Sequence, residues 1–158
     1  HFNNVKRVAR ALEYYRLTGE KMSDHNREAK QKESPYNLAF FVLNMDRQKL
    51  YDRIDLRVDI MMQNGLEAEV RNLINMGYSP ELVSMQGLGY KEFIPYFNGE
   101  ITLEKAVDDI KKYTRHFAKR QLTWFRRQTE GTWIDMTSGD KQKALETMVN
   151  ELKDKNII

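Results

Sequence analysis

Tyr36-Asn-Leu-Ala-Phe-Phe-Val-Leu-Asn-Met45 decides between an all-helical chain and an α/β one. From Leu38 to Leu43 the run is unbroken in its apolar character and strand-sized. It lacks the polar alternation of a strand that is wet on one side, so it suits a strand buried on both faces, as in a parallel sheet. Pro35 closes the segment before it. Asp46, just after it, has the side chain that caps a helix start. Thr132-Trp-Ile-Asp-Met136 is a second short strand. Two short strands make a poor sheet alone. Both therefore read as members of a larger parallel sheet, and the 158 residues as a piece of a larger protein.

The segments around these strands are helical. Asn3 to Thr18 carries an apolar stripe of Val5, Val8, Ala9, Leu12 and Tyr15, with Gly19 placed to stop it. Residues 20–36 are polar and charged, and read as a short helix or a mobile loop. A helix from Arg47 to about Asn64 turns Leu50, Ile54, Val58 and Met61/Met62 inward. Gly65 breaks it, and Leu66 to Met76 continues with Val70, Leu73 and Ile74 inward until Gly77. Pro80 to Gly89 is a short helix or loop that leads to a short helix at Glu92–Phe97. Ser138 to Leu152 is a last amphipathic helix with Ala144, Met148 and Leu152 inward. No internal repeat is present.

Lys111 to Arg127 holds seven Lys or Arg and no acid, while the rest of the chain has 19 basic and 23 acidic residues (26 − 7 = 19). This one segment accounts for the formal +3. At about 100° per residue, Ala106, Ile110, Tyr113, Phe117 and Trp124 fall on one arc, which Leu103, Val107, Ala118 and Phe125 widen on one side. Lys111, Lys112, Arg115, Lys119, Thr123, Arg126 and Arg127 fall on the other. Arg120 sits at the edge and Leu122 lies among the cations. Thr102 serves as the N-cap, with Lys105 where a capping box wants Glu or Gln, and Gly131 ends the helix. A basic face is often merely solvated. Here no acid within the segment can neutralise it, and residues able to hydrogen-bond or stack lie beside the cations, which suits a phosphate-rich partner.

Composition narrows the chemistry. Cysteine is absent, which removes disulfides, thiolate metal sites and cysteine nucleophiles and suits a reducing cytoplasm. His1, His25 and His116 are scattered without zinc spacing. No run is long enough to span a membrane, and no signal peptide is visible. Gly87-Leu88-Gly89 permits a close backbone approach to a ligand, but a lone GxG is weak by itself. Glu67 and Glu69, at i,i+2 on a helix, point different ways and read as surface or ion-pair residues, not an acid–base couple.

Five stretches occur in order: Asn3-Asn-Val-Lys-Arg-Val-Ala-Arg-Ala-Leu-Glu13, Arg53-Ile-Asp-Leu-Arg-Val-Asp59, Gly65-Leu-Glu-Ala-Glu-Val70, Gly87-Leu-Gly-Tyr-Lys91 and Lys119-Arg-Gln-Leu-Thr-Trp-Phe-Arg126. Together they resemble the C-terminal half of the bacterial tRNA dimethylallyltransferase (tRNA adenosine-37 isopentenyltransferase) family, over nearly the whole chain. The resemblance implies transfer of a dimethylallyl group from dimethylallyl diphosphate to N6 of adenosine 37, with Mg²⁺, in tRNAs that read codons starting with U. It implies a cytoplasmic protein that binds neither DNA nor membrane. The implied fold is an α/β piece, predominantly α-helical: helices around two short parallel strands from a P-loop nucleotide-kinase-like core. Residues 1–35 would end a helical tRNA-binding insertion, and 36–158 would form the C-terminal part of the core.

The resemblance implies tRNA contact by Asn3, Asn4, Lys6 and Arg7, by Gln86, Gly87, Leu88, Gly89, Tyr90 and Lys91, and by Lys119, Arg120, Gln121, Thr123, Trp124 and Arg126. Trp124 suits a base stack, but its place at the centre of the apolar arc favours core packing. Arg57 and Arg115 are candidates for the diphosphate, against ion pairing such as Arg57 with Glu69 or Asp59. The chain departs from the family in having no Gly-x-x-x-x-Gly-Lys-[Ser/Thr] and in carrying Phe2 where the family has proline. The P-loop and the catalytic aspartate would lie outside these residues, so no catalytic or metal-ligating residue is assigned, and the chain alone is expected not to transfer the group. Two readings compete with the transferase. One is a non-enzymatic helical RNA-binding module; the other, a lid-bearing nucleotide kinase, is disfavoured by the missing phosphate loop. Unpaired strand edges would favour dimerisation.

Overall fold

The computed structural model describes residues 3–31, 35–128 and 131–158; the departure at Phe2 lies outside them. The chain divides into two units, His1–Leu38 and Ala39–Ile158.

In the first unit, α1 (Val5–Thr18) and α2 (Met22–Gln31) form a helix pair. The Asn4 side chain caps α1 by accepting from the Arg7 N–H at 3.1 Å. Gly19, at φ +75°, closes it by donating to the Tyr15 carbonyl. The charged 20–36 stretch is helical as far as Gln31. The ring of Tyr14 packs on that of His25, 5.2 Å between centroids.

In the second unit the order is β1 (Phe41–Asn44), α3 (Arg47–Gln63), α4 (Leu66–Asn75), a 3-10 turn (Lys91–Phe93), α5 (Ile94–Phe97), α6 (Leu103–Gln128), β2 (Thr132–Asp135) and α7 (Lys141–Asp154). The strands pair in parallel, Phe41 opposite Thr132 through Asn44 opposite Asp135. Asp46 caps α3 as expected, accepting from the N–H groups of Gln48 (2.9 Å) and Lys49 (3.1 Å). α7 starts later than its polar lead-in suggests, because Asp140 and not Ser138 is the cap. Among the described residues no helix is long and apolar enough to cross a membrane.

The core gathers where five segments meet: Val58 of α3, Leu66 and Val70 of α4, Met85 of the turns that follow, Phe93 of the 3-10 turn, and Ala106 and Ile110 of α6. Phe93 and Val70 are fully enclosed. Enclosing a side chain of this class stabilises the fold by roughly 1.5–3 kcal/mol.

Two sequence expectations change here. The apolar run of β1 is not buried on both faces. Val42 and Ile134 are buried, but Leu43 is 56% and Trp133 36% exposed. Since register partners share a face, each face is covered over one strand only. Gly131, expected only to end the basic helix, also has a packing role. It lies against β1, where an added Cβ would meet Phe40 Cδ1 at 2.5 Å and the Phe40 carbonyl oxygen at 2.7 Å. Its missing side chain is what lets β2 approach β1.

Candidate nucleic-acid interface

α6 starts as its sequence predicts. The Lys105 N–H donates to Thr102 Oγ1 at 3.2 Å. The Glu104 carboxyl is held below its ordinary value, first by its own backbone N–H and then by the Thr102 hydroxyl, as suits an acid at a helix N-terminus. The helix runs about 39 Å at 1.5 Å per residue. Ala106 and Ile110 enter the core, but the inward face of the second half is not the arc centred on Ala106. Thr114, Ala118, Leu122 and Phe125 are partly buried, and Phe125 packs on Phe40 with ring centroids 6.1 Å apart. Tyr113, Phe117 and Trp124 are 40%, 52% and 55% exposed. The expectation that Trp124 packs in the core is therefore wrong. The apolar residues of α6 span an arc wide enough for either choice, and packing against α3 and Phe40 selects its Leu122 side.

The cations divide in two. Lys111 Nζ pairs with Asp59 at 2.6 Å, and Arg115 Nη1 with Asp55 at 2.5 Å. Both acids lie on α3 at the same i,i+4 spacing as their partners, so the pairs clamp α6 to α3. The remaining five of the seven (7 − 2), Lys112, Lys119, Arg120, Arg126 and Arg127, have no carboxylate partner among the described residues. Lys112 lies over the Tyr113 ring at 5.6 Å, and Arg126 over that of Trp133 at 5.6 Å. Trp124 is edge-on to Phe125 at 5.3 Å. His116, Lys119, Arg120, Thr123, Trp124 and Arg127 line one shallow groove along the helix. The Thr123 hydroxyl donates to the Lys119 carbonyl at 2.9 Å, which leaves its lone pairs for a donor in a ligand. Gln121 is exposed on the same stretch. Lys119 and Thr123 also border a second groove, at the end of β1, with Asn44, Arg47, Tyr51 and Arg126.

The second candidate stretch, Gln86–Lys91, is a built loop. Gln86 Nε2 donates to the Pro80 carbonyl at 2.7 Å. The N–H groups of Tyr90 and Lys91 donate to the Gly87 carbonyl at 3.1 and 3.3 Å. Gly89, at φ +97°, supplies a backbone turn that other residues adopt only under strain. The Tyr90 hydroxyl donates to the Glu69 carboxylate of α4. That bond, and then burial, hold the Tyr90 hydroxyl above its ordinary value. Leu88 and Lys91 face outward. The groove beside the loop brings Gln86 and Lys91 to Tyr113 of α6, about 9 Å along the helix axis from Lys119.

The two diphosphate candidates part company. Arg115 is engaged by Asp55. Arg57 is exposed, and no carboxylate meets it among the described residues. The ion pairs considered for it do not form, since Asp59 is taken by Lys111 and Glu69 by Tyr90. Glu67 pairs with Arg71, the surface role expected of it. In the first unit, Asn4 is occupied as a cap while Asn3, Lys6 and Arg7 are exposed. The residues missed from the sequence are Asp55, Asp59 and Glu92. The matching i,i+4 spacing of Asp55/Asp59 and Lys111/Arg115 was the available signal for the first two. Glu92 follows Gly89 by three residues and accepts its N–H at 2.8 Å.

The IPP transferase family model matches residues 1–128. The chain belongs to the IPP transferase family. Along its whole length it is 52% identical to a tRNA dimethylallyltransferase of Lachnoclostridium phytofermentans, of which it covers 51%. Among solved structures it superposes on the full-length tRNA isopentenylpyrophosphate transferase of Bacillus halodurans with a TM-score of 0.74 at 43% identity, 98% of this chain against 46% of that one. The tRNA isopentenylpyrophosphate transferase of Staphylococcus epidermidis gives 0.67 at 38%, 96% against 50%. A eukaryotic dimethylallyltransferase acting on tRNA gives 0.79 at 28%, 98% against 42%. This member of the IPP transferase family thus spans about half the length of the relatives it matches, and its fold, mainly helical around two short parallel strands, is shared with tRNA prenyltransferases.

Proposed function

We propose that these residues hold the anticodon stem-loop of a tRNA while a dimethylallyl group passes from dimethylallyl diphosphate to N6 of adenosine 37, in the cytoplasm. The observation that carries this reading is the second half of α6, where four cations without a carboxylate partner among the described residues, Lys119, Arg120, Arg126 and Arg127, flank an exposed tryptophan, in a chain so similar to a tRNA dimethylallyltransferase. In the transfer, the bond from the allylic carbon to the diphosphate oxygen breaks, a bond from that carbon to N6 forms, and N6 gives up a proton. The reaction needs charge neutralised on the leaving diphosphate, the adenine drawn out of its stack, and water kept from the allylic centre. Lys91, Lys119, Arg120 and Arg126 hold backbone phosphates. Gln121 and Thr123 reach a 2′-hydroxyl or a base edge. Trp124 offers its exposed face to an unstacked base. Arg57, exposed and unpaired among the described residues, is the cation for the diphosphate.

Neither the base that takes the N6 proton nor the Mg²⁺ is assigned here. Among the described residues no three His, Asp or Glu side chains converge as a metal-ligating group.

The test is fluorescence anisotropy of an anticodon stem-loop against the purified chain at several salt concentrations, beside an assay for transfer from labelled dimethylallyl diphosphate. Salt-sensitive binding without transfer is the expected result. Salt-insensitive or absent binding overturns the RNA reading of α6. Transfer by the chain alone overturns the assignment of the base outside it.

A further inference from the structure

We propose that Glu92 is a positioning residue, whose buried carboxylate sets the backbone of the Gln86–Lys91 loop for RNA contact. This rests on the RNA reading above and adds the group that gives the loop its shape. Glu92 is only 6% exposed, the one buried charged side chain among the described residues. It sits beside Phe93, the most enclosed aromatic of the core, so its backbone is fixed by the fold. From there Oε2 accepts the Gly89 N–H at 2.8 Å. Gly89 is itself buried and its φ is +97°. Without Glu92 that N–H would be an orphan in a dry place, and the loop would relax to find it a partner.

Glu92 Oε1 is buried with no partner among the described residues. A carboxylate with one oxygen unmet is a poor choice for stability alone. An apolar side chain of the same volume would pack better there. What it contributes is the shape of the loop above it: the second tether, from Tyr90 to Glu69 of α4, leaves Lys91 and Leu88 on the outside. Two carboxylates from different elements thus hold consecutive residues of a loop whose outward groups meet the RNA.

The experiment compares wild type, Glu92→Met and Glu92→Gln in the 158-residue chain by amide hydrogen exchange, thermal unfolding and anisotropy with the anticodon stem-loop. Met keeps the volume but cannot accept from Gly89; Gln keeps an acceptor. Expected for E92M is exchange at Gly89–Lys91 faster by tenfold or more, an unfolding temperature no lower than wild type, and RNA affinity about tenfold weaker with an unchanged salt slope. E92Q stays within about twofold of wild type in all three. Should E92M not fold, Tyr90→Phe cuts the second tether and is expected to weaken RNA binding with the same unchanged slope. Undisturbed exchange in E92M overturns the positioning role. Faster exchange with full RNA affinity overturns its link to RNA. A wild type that does not bind RNA overturns the RNA reading and this proposal together, while the exchange data still report whether Glu92 holds the loop.

Discussion

The division of α6 into paired and unpaired cations makes a quantitative prediction. Each phosphate neutralised by a side chain adds about 0.7 to 0.9 to the slope of log affinity against log salt. Lys119 and Arg120 have no carboxylate partner among the described residues, whereas Lys111 and Arg115 are held by Asp59 and Asp55. If all five unpaired cations meet phosphates, they contribute a slope of about 3.5–4.5, and RNA affinity falls about 130- to 500-fold between 50 and 200 mM salt. Removing two, as in Lys119→Ala/Arg120→Ala, leaves about 2.1–2.7 from the other three, a fall of about 20- to 40-fold over the same range. Cations elsewhere raise the absolute slope but not the difference of about 1.4–1.8. Lys111→Ala and Arg115→Ala should leave the slope unchanged and instead cost stability, each by about 0–1 kcal/mol, because both pairs are partly solvated. Anisotropy titrations of an anticodon stem-loop at four salt concentrations, with urea unfolding of each variant, measure both quantities. An R115A slope that drops by about 0.7–0.9, the share of one phosphate contact, would refute the division, since the Asp55 pair would then give way to RNA.

Other consequences concern the fold. Phe93→Ala should cost about 3–5 kcal/mol in urea unfolding, because the cavity opens at the centre of the core; a loss below 1 kcal/mol would show that the core does not close on Phe93. Gly131→Ala should cost about 1–3 kcal/mol by pushing β2 off Phe40, and exchange of the β1–β2 amides should rise with it; unchanged exchange would contradict the close approach. The Asp135 carboxyl is held low by the Thr137 hydroxyl, then the Thr137 N–H, with smaller help from Lys49 and Lys143. A depressed carboxylate stabilises the fold above its unfolded value, near 3.9, and that contribution is lost as pH falls through the lower folded value. Asp135→Asn should therefore lower the urea midpoint at neutral pH, and the gap from wild type should shrink below about pH 4. A gap that persists at pH 2 would contradict this.

Much of this was legible in the sequence because the signals are local. Asp46 caps within three residues, Gly19 and Gly65 turn the chain where their positive φ is needed, and the 3.6-residue period places Val58 and Val70 inward. What failed depends on distant neighbours. The face of α6 that meets α3 is chosen by packing, and Leu122, stranded among cations on the wheel, was the sign that the buried side had moved. The burial of β1 depends on what covers each strand, which an apolar run cannot state. Of the candidate site, the cation row and the Gly87–Lys91 turn were visible. The carboxylates that sort and shape them (Asp55 and Asp59 on one element, Glu69 and Glu92 on others) were not, since each acts across elements.

The parallel pairing of β1 with β2 has a kinetic side. Thr137 Oγ1 accepts from the Asp46 N–H at 2.7 Å and donates to Asp135 Oδ1 at 2.5 Å, latching the ends of two strands separated by most of the chain. Closing a loop of 91 residues costs about 2 kcal/mol more than closing one of ten. The contacts of α3 with α4 and of the 3-10 turn with α6 close far shorter loops. The sheet should therefore assemble last, on a helical core already packed, and pulse-labelled exchange should protect the α3 and α4 amides before those of Val42 and Ile134. During synthesis β1 emerges long before its partner. Until Thr132–Asp135 leaves the ribosome, the edge of Phe41–Asn44 that β2 will cover stays open, and this interval is when that edge is most exposed to pairing with a neighbour.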